Sequence, residues 1–224
     1  MITIEEVKNS HVIKTYIEKA DESLRALGYT EHSYAHVNKV SQSAGHILRT
    51  LGYPERDCEL AEIAGYLHDI GNVINRIDHA QSGAVMAFRI LDNMAASPED
   101  IATVITAIGN HDEATAHPVS PIAAALILAD KSDVRRSRVR NKDIATFDIH
   151  DRVNYSVVKS ELRIKDKKNS EEKQLIELKI QIDTQVCSVM NYFEIFLNRM
   201  LLCRKAAESI NLEFTLVVNG QRML

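Results

Sequence analysis

The chain has 224 residues, 45% of them hydrophobic and 26% charged, with a formal net charge of -4 and a pI near 6.1. That length suits one large domain, or an ordinary domain with a small companion, and the apolar content suffices for a packed core. The charge balance excludes a protein that coats nucleic acid with a broad basic surface, and no apolar run approaches a membrane span.

The predicted elements begin with helices. Thr3 and Glu6 have the spacing of a capping box, and Val12, Ile13, Tyr16, Ile17, Ala20, Leu24 and Leu27 continue a helical period to a stop at Gly28. A second helix is predicted from Glu31 to Leu51, closed by Gly52. A third starts near Pro54 and ends around His68 to Gly71. Asp78 with Gln81 predicts a capped start for AQSGAVMAFRILDNM. Ser97-Pro98-Glu99-Asp100 is a start signal, with a capping serine, proline at the first turn and acids facing the helix dipole. Ser120-Pro121 repeats that signal before IAAALILAD.

Near residue 145 the pattern changes. RVNYSVVKSELRIKD and KQLIELKIQID carry β-branched residues and period-two alternation, clearest at Ile176, Leu178, Ile180 and Ile182. Polar KKNSEE between them predicts a hairpin. A long amphipathic helix is expected from Thr184 to Ser209, with Val186, Val189, Met190, Phe193, Leu197, Met200 and Leu201 on its apolar side. LEFTLVV then reads as a strand. The expectation is mainly α, with a helical domain at 1–145 and a small ββαβ domain at 146–224.

The three cysteines, Cys58, Cys187 and Cys203, are odd in number and lack metal or redox spacing, which suggests free thiols and a cytoplasmic protein. The opening MITIEEVKNSHVIK has neither the apolar core nor the cleavage site of a signal peptide.

Among nine histidines, His32 and His36 stand four apart on one predicted helix. His68 and Asp69 end another, His79 starts the next, and His111 follows AIGN. Asp130 closes the greasy run IAAALILAD, where a carboxylate is costly to bury unless a cation offsets its charge. Imidazoles and carboxylates brought together supply the nitrogen and oxygen donors of a divalent metal. No function is read into His11, His46, His117 or His150.

In their order His36, His68-Asp69 and Asp130, these residues resemble the HD-domain superfamily of metal-dependent phosphohydrolases. EHSYAHVNKV, YLHDIG, HAQSGA, AIGNHD and ILAD resemble, in order and spacing, its two-metal branch, which includes bacterial symmetrical diadenosine tetraphosphate hydrolases. The likeness spans roughly Thr30 to Arg136 and implies an HD-type helical bundle with the ββαβ segment as an appendage. It implies that His36, His68, Asp69 and Asp130 bind one metal, and that Asp69 bridges to a second held by His79 and His111. Such a ligand set favours iron, manganese, cobalt, nickel or zinc, one or two per chain. Two cations would lower the pKa of a shared water and neutralise phosphoryl oxygens.

Relatives often carry a phosphate-holding lysine three residues after the HD aspartate; here Asn72 stands there. Asn72 is expected to face substrate, with Asp112 beside it as a substrate or second-layer group. His32 is expected to donate to phosphate. In the basic run of Lys131, Arg135, Arg136, Arg138, Arg140 and Lys142, Lys131 and Arg135 lie nearest the metal ligands in sequence and are the expected phosphate rim. The substrate expected is a small phosphate compound, a nucleotide in the first instance. The alternative is a nucleotide- or metal-binding regulatory module that turns over little and signals through the C-terminal segment. A homodimer surface on the long helix is a further expectation.

Overall fold

A computed structural model describes residues 1–165 and 173–224. The chain divides into two compact units, Met1–Asp130 and Lys131–Leu224. The boundary expected from composition, 145/146, lies fifteen residues further on.

The N-terminal unit is helical: α1 (Ile4–Asn9), α2 (His11–Ala26), α3 (Tyr34–Thr50), α4 (Glu55–Leu67), α5 (His79–Asn93), α6 (Pro98–Gly109) and α7 (Pro121–Lys131, whose last residue opens the second unit). The Thr3/Glu6 capping box forms. The single first helix predicted is two, because the Ser10 side chain accepts from the Ile13 amide and caps a fresh start. Ile13, Ile17, Ala20 and Leu24 are buried, whereas Val12, Tyr16 and Leu27 face outward. Ser97 accepts from the Asp100 amide and Ser120 from that of Ala123, as their sequence signals predict.

Two predicted starts differ. Helix α3 begins at Tyr34, not Glu31, because Ser33 caps it and Glu31 accepts from the Ser33 amide. His32 therefore precedes the helix that carries His36. Asp78 does not cap α5; it sits in the left-handed region at φ 56, where it turns the chain from a 3-10 turn (Ile70–Val73) into the helix. A non-glycine residue there costs about 1–2 kcal/mol.

Helix α3 packs on α4, and α5 on α6 and on the 3-10 turn. The α3–α4 approach is close: a Cβ on Gly65 would lie 2.8 Å from the Ser41 Cα. Ile122 to Ala129 of α7 are all buried. Each large side chain there contributes roughly 1.5–3 kcal/mol through burial, which explains how the fold tolerates a carboxylate at the helix's end.

The C-terminal unit adds α8 (Ile149–Ser156), where the first strand segment was expected to begin, then β1 (Val157–Lys165), β2 (Gln174–Ile182), α9 (Val189–Ser209), β3 (Leu212–Val218) and a short β4 (Gln221–Arg222). The sheet order is β1-β2-β3-β4. β1 and β2 are antiparallel; KKNSEE, expected to join them as a hairpin, lies outside the described residues. β2 and β3 are parallel, with Ile176 opposite Phe214, Leu178 opposite Leu216 and Ile180 opposite Val218, all buried. The ββαβ appendage is thus present, extended by α8 and β4. The buried side of α9 is Tyr192, Phe196, Met200, Cys203 and Ala207; Met190 and Leu197, expected inside, are exposed.

Candidate metal centre

The helical packing gathers six side chains from five places in the chain. His36 comes from the first turn of α3, His68 caps the C-terminus of α4, and Asp69 follows it. His79 is the first residue of α5, His111 lies just beyond α6, and Asp130 is at the end of α7. His36, His68, His79, His111 and Asp69 are buried, and the Asp130 side chain is only 12% exposed. His11, His46, His117 and His150 are all exposed.

The ring nitrogens converge. His36 Nε2 lies 3.3 Å from His68 Nε2, 3.3 Å from Asp130 Oδ1 and 3.5 Å from Asp69 Oδ2. His68 Nε2 is 3.2 Å from Asp69 Oδ2 and 3.7 Å from Asp130 Oδ1. His79 Nε2 is 3.5 Å from the other oxygen, Asp69 Oδ1. The His111 ring stands edge-on to those of His68 and His79, with centroids 5.0 and 5.1 Å away. Asp69 therefore turns one oxygen toward His36 and His68 and the other toward His79.

Backbone carbonyls set the tautomers. Nδ1 of His68, His79 and His111 faces the carbonyl three residues earlier, Gly65 at 2.8 Å, Arg76 at 3.0 Å and Ile108 at 2.6 Å. A carbonyl only accepts, so Nδ1 carries the hydrogen and each neutral ring presents the Nε2 lone pair to the centre. Asp69 Oδ2 is buried and accepts no hydrogen bond among the described residues. Lone pairs and carboxylates facing one another without donors are unfavourable unless a positive charge lies between them. In the protein's own chemistry that charge is a proton: burial pushes the His68 pKa down, but the Asp69 and Asp130 carboxylates outweigh it and hold the group at about 10. Asp69, against its burial, is held well below the usual carboxylate range by the His68, His32 and His36 imidazoles. A divalent cation satisfies the same demand with better-matched valence. His36, His68 and Asp130 form one group able to hold it, and His68, Asp69 and His111 another.

The other predicted residues fall around this centre or outside it. His32 is partly exposed, its ring 5.4 Å from that of His36 and its Nδ1 2.7 Å from the Thr30 carbonyl. Asp112 Oδ1 is 3.9 Å from His79 Nε2. Asn72 is fully buried, and its amide donates to the Asp69 carbonyl and to Asp69 Oδ1, both at 2.9 Å. The geometry thus gives Asn72 a hold on Asp69 where contact with substrate was expected. Lys131 is buried at the end of α7, and Arg135 hydrogen-bonds Asp133 at 3.0 Å inside the C-terminal unit. Their neighbours Arg136 and Arg138 are also held there, by the Tyr155 and Asp133 carbonyls.

Sequence reasoning missed Arg76. Its Nη1 lies 3.3 Å from His79 Nε2 and 3.4 Å from Asn72 Oδ1. No sequence signal pointed to it, because Arg76 stands in the bend beyond the 3-10 turn, where no helical spacing relates it to Asn72.

A helical unit that closes around four imidazoles and two carboxylates defines a metal-binding protein with a His/Asp centre. Compared with the profiles of known families, the chain matches the HD domain over residues 33–153, more than half its length, and it belongs to the HD domain family. Members of that family are generally metal-dependent phosphohydrolases. No curated protein matches the chain. No helix among the described residues is long and apolar enough to cross a membrane.

Proposed function

We propose that this chain hydrolyses phosphomonoester or phosphoanhydride bonds in a small molecule, a nucleotide in the first instance, with two divalent transition metals at the centre. The observation that carries the reading is Asp69: a buried carboxylate with one oxygen toward His36 and His68 and the other toward His79. That disposition suits a ligand shared between two cations. His36, His68 and Asp130 would complete one site, His79 and His111 the other. Bound metal there supplies Lewis acidity toward phosphoryl oxygens and a lowered pKa for water.

The chain's own groups do the rest. The Nδ1 contacts fix the ring planes, and Asn72 fixes the Asp69 carboxylate. His32, at the partly exposed edge beside His36, is assigned to a substrate oxygen. Asp112, beside His79, is assigned to orientation and proton traffic. Lys131 and Arg135, expected at a phosphate rim, have no part in this reading: Lys131 is buried and Arg135 donates to Asp133 within the second unit. The regulatory alternative is not favoured, because a binding module has no need of a complete ligand set.

The test is phosphate release from a nucleotide panel with Mn²⁺, Co²⁺, Ni²⁺, Zn²⁺ or Fe²⁺. Turnover should vanish with a chelator and return with added metal, and absence of release under every metal contradicts the reading. Metal binding should also depend on pH. Metal-free His68 keeps its proton through the neutral range, so an incoming cation must displace it. Falling pH favours the proton, and apparent affinity should weaken by about tenfold per unit for one displaced proton. Calorimetry in buffers of different protonation enthalpy reads that proton; a pH-independent affinity contradicts the linkage.

A further inference from the structure

We propose that Arg76 binds the substrate's terminal phosphoryl group and supplies the positive charge that position 72 lacks, with Asn72 as a positioning residue; this rests on the phosphohydrolase reading and deepens it.

The starting point is the neutral side chain at 72. Its amide hydrogens are committed to Asp69, so it has no donor left for substrate. Its remaining polar atom, Oδ1, accepts from Arg76 Nη1 at 3.4 Å. Both neighbours agree on the amide's orientation, since a carboxylate takes only the NH₂ end and a guanidinium only the carbonyl end. Asn72 therefore ties Asp69 to Arg76.

Arg76 lies in the bend between the 3-10 turn and α5, its side chain 30% exposed. Nη1 is 3.3 Å from His79 Nε2 and 4.0 Å from Asp69 Oδ1, which sets the guanidinium at the centre's edge. The Tyr29 ring supports its other side, 5.7 Å from Cζ. Among the described residues only Nη1 contacts a polar partner. Nε and Nη2 are left as donors, and the guanidinium fork matches two oxygens of one phosphate. The nearest carboxylate, at 4.0 Å, is too far for a strong ion pair, so the charge is available to an anion. A dianionic terminal phosphoryl gains most from it, and a singly charged phosphodiester gains less. The class of substrate is accordingly a phosphomonoester or a nucleotide with a terminal phosphate.

The experiment compares wild type, Arg76→Gln and Arg76→Lys, each loaded with Mn²⁺. Inorganic phosphate binding is read by calorimetry, metal content by elemental analysis, and KM and kcat with p-nitrophenyl phosphate. Arg76→Gln should bind phosphate about 10- to 100-fold more weakly, the loss of a charge-assisted hydrogen bond, with KM raised in step and metal content unchanged. Arg76→Lys should recover part of the loss. Unchanged phosphate affinity in Arg76→Gln at full metal content overturns the proposal, and so does a loss that merely follows lost metal. If wild type binds phosphate and Arg76→Gln does not, yet neither turns over any ester, the contact stands and the hydrolase reading fails.

Discussion

Replacing Asp69 with alanine should remove phosphohydrolysis and strip metal from the purified protein while leaving the fold intact. Asp69 turns Oδ2 to His36 and His68 and Oδ1 to His79, so it offers two oxygens to two groups of nitrogens. Alanine leaves His68 and His36 without that nearby carboxylate, so a divalent cation would lose both a donor and a negative charge. Turnover should fall by on the order of 10³-fold or more, the upper range for removing one group that stabilises developing charge. The structural cost is smaller, about 1–3 kcal/mol, because the side chain's hydrogen bond comes from Asn72, whose amide keeps the Asp69 backbone carbonyl. Asp69→Asn separates charge from shape, since it keeps the volume and should still lose metal. Circular dichroism, elemental analysis and phosphate release check these outcomes. An alanine variant that keeps wild-type metal content and a tenth or more of wild-type turnover would show that Asp69 is not the shared ligand.

Gly71→Ala should be among the most destabilising single-methyl additions in the helical unit. A Cβ there would lie 2.1 Å from the His79 carbonyl oxygen, 2.5 Å from the Gly83 nitrogen and 2.7 Å from Ser82 Oγ. Two of those atoms are backbone in the first turns of α5, which cannot swing aside as a side chain does. The cost should reach or exceed the top of the ~1–3 kcal/mol range for overpacking. For a chain of this size that lowers the melting temperature by roughly 6–12 °C. Relief requires α5 to move away from the 3-10 turn, and His79 moves with it, away from Asp69. Metal content should therefore drop along with stability. Gly109→Ala is the control: its Cβ would meet only Ala84 Cβ at an ordinary 3.7 Å, and it should melt at or slightly above the wild-type temperature. Equal melting of the two variants would show that α5 and the turn are not in close contact.

The candidate ligands were picked out in the sequence by the resemblance that the order His36, His68-Asp69, Asp130 carries, and the structure brings them together because each stands at or near a helix end. Ser97, Ser120 and Gly52 act through chemistry within four residues of themselves, so the elements they delimit appear where expected. The alternation in β2 and β3 was equally legible, since one face of each is buried and its apolar residues recur every second position. Long-range choices were not. The α9 sequence is apolar on more than one side, and only packing against β3 and α8 selects the Tyr192–Phe196–Met200 face. Ser10 and Asp78 both have capping chemistry, yet one caps and the other does not. The chain's path into α5 forces Asp78 into the left-handed region, away from its amides.

By itself the sequence determined where most helices start and stop and the ββαβ order of the C-terminal segment, because these rest on local hydrogen bonds and short periodicities, and the order of its histidines and aspartates carried the resemblance to the HD domain. Only the tertiary structure decided that Asp69 faces two groups of imidazoles, that Asn72 spends its amide on Asp69, and that Arg76 stands at the centre's edge. Those are matters of distance between atoms brought together by packing, and no spacing along the chain encodes which neighbour a side chain will reach.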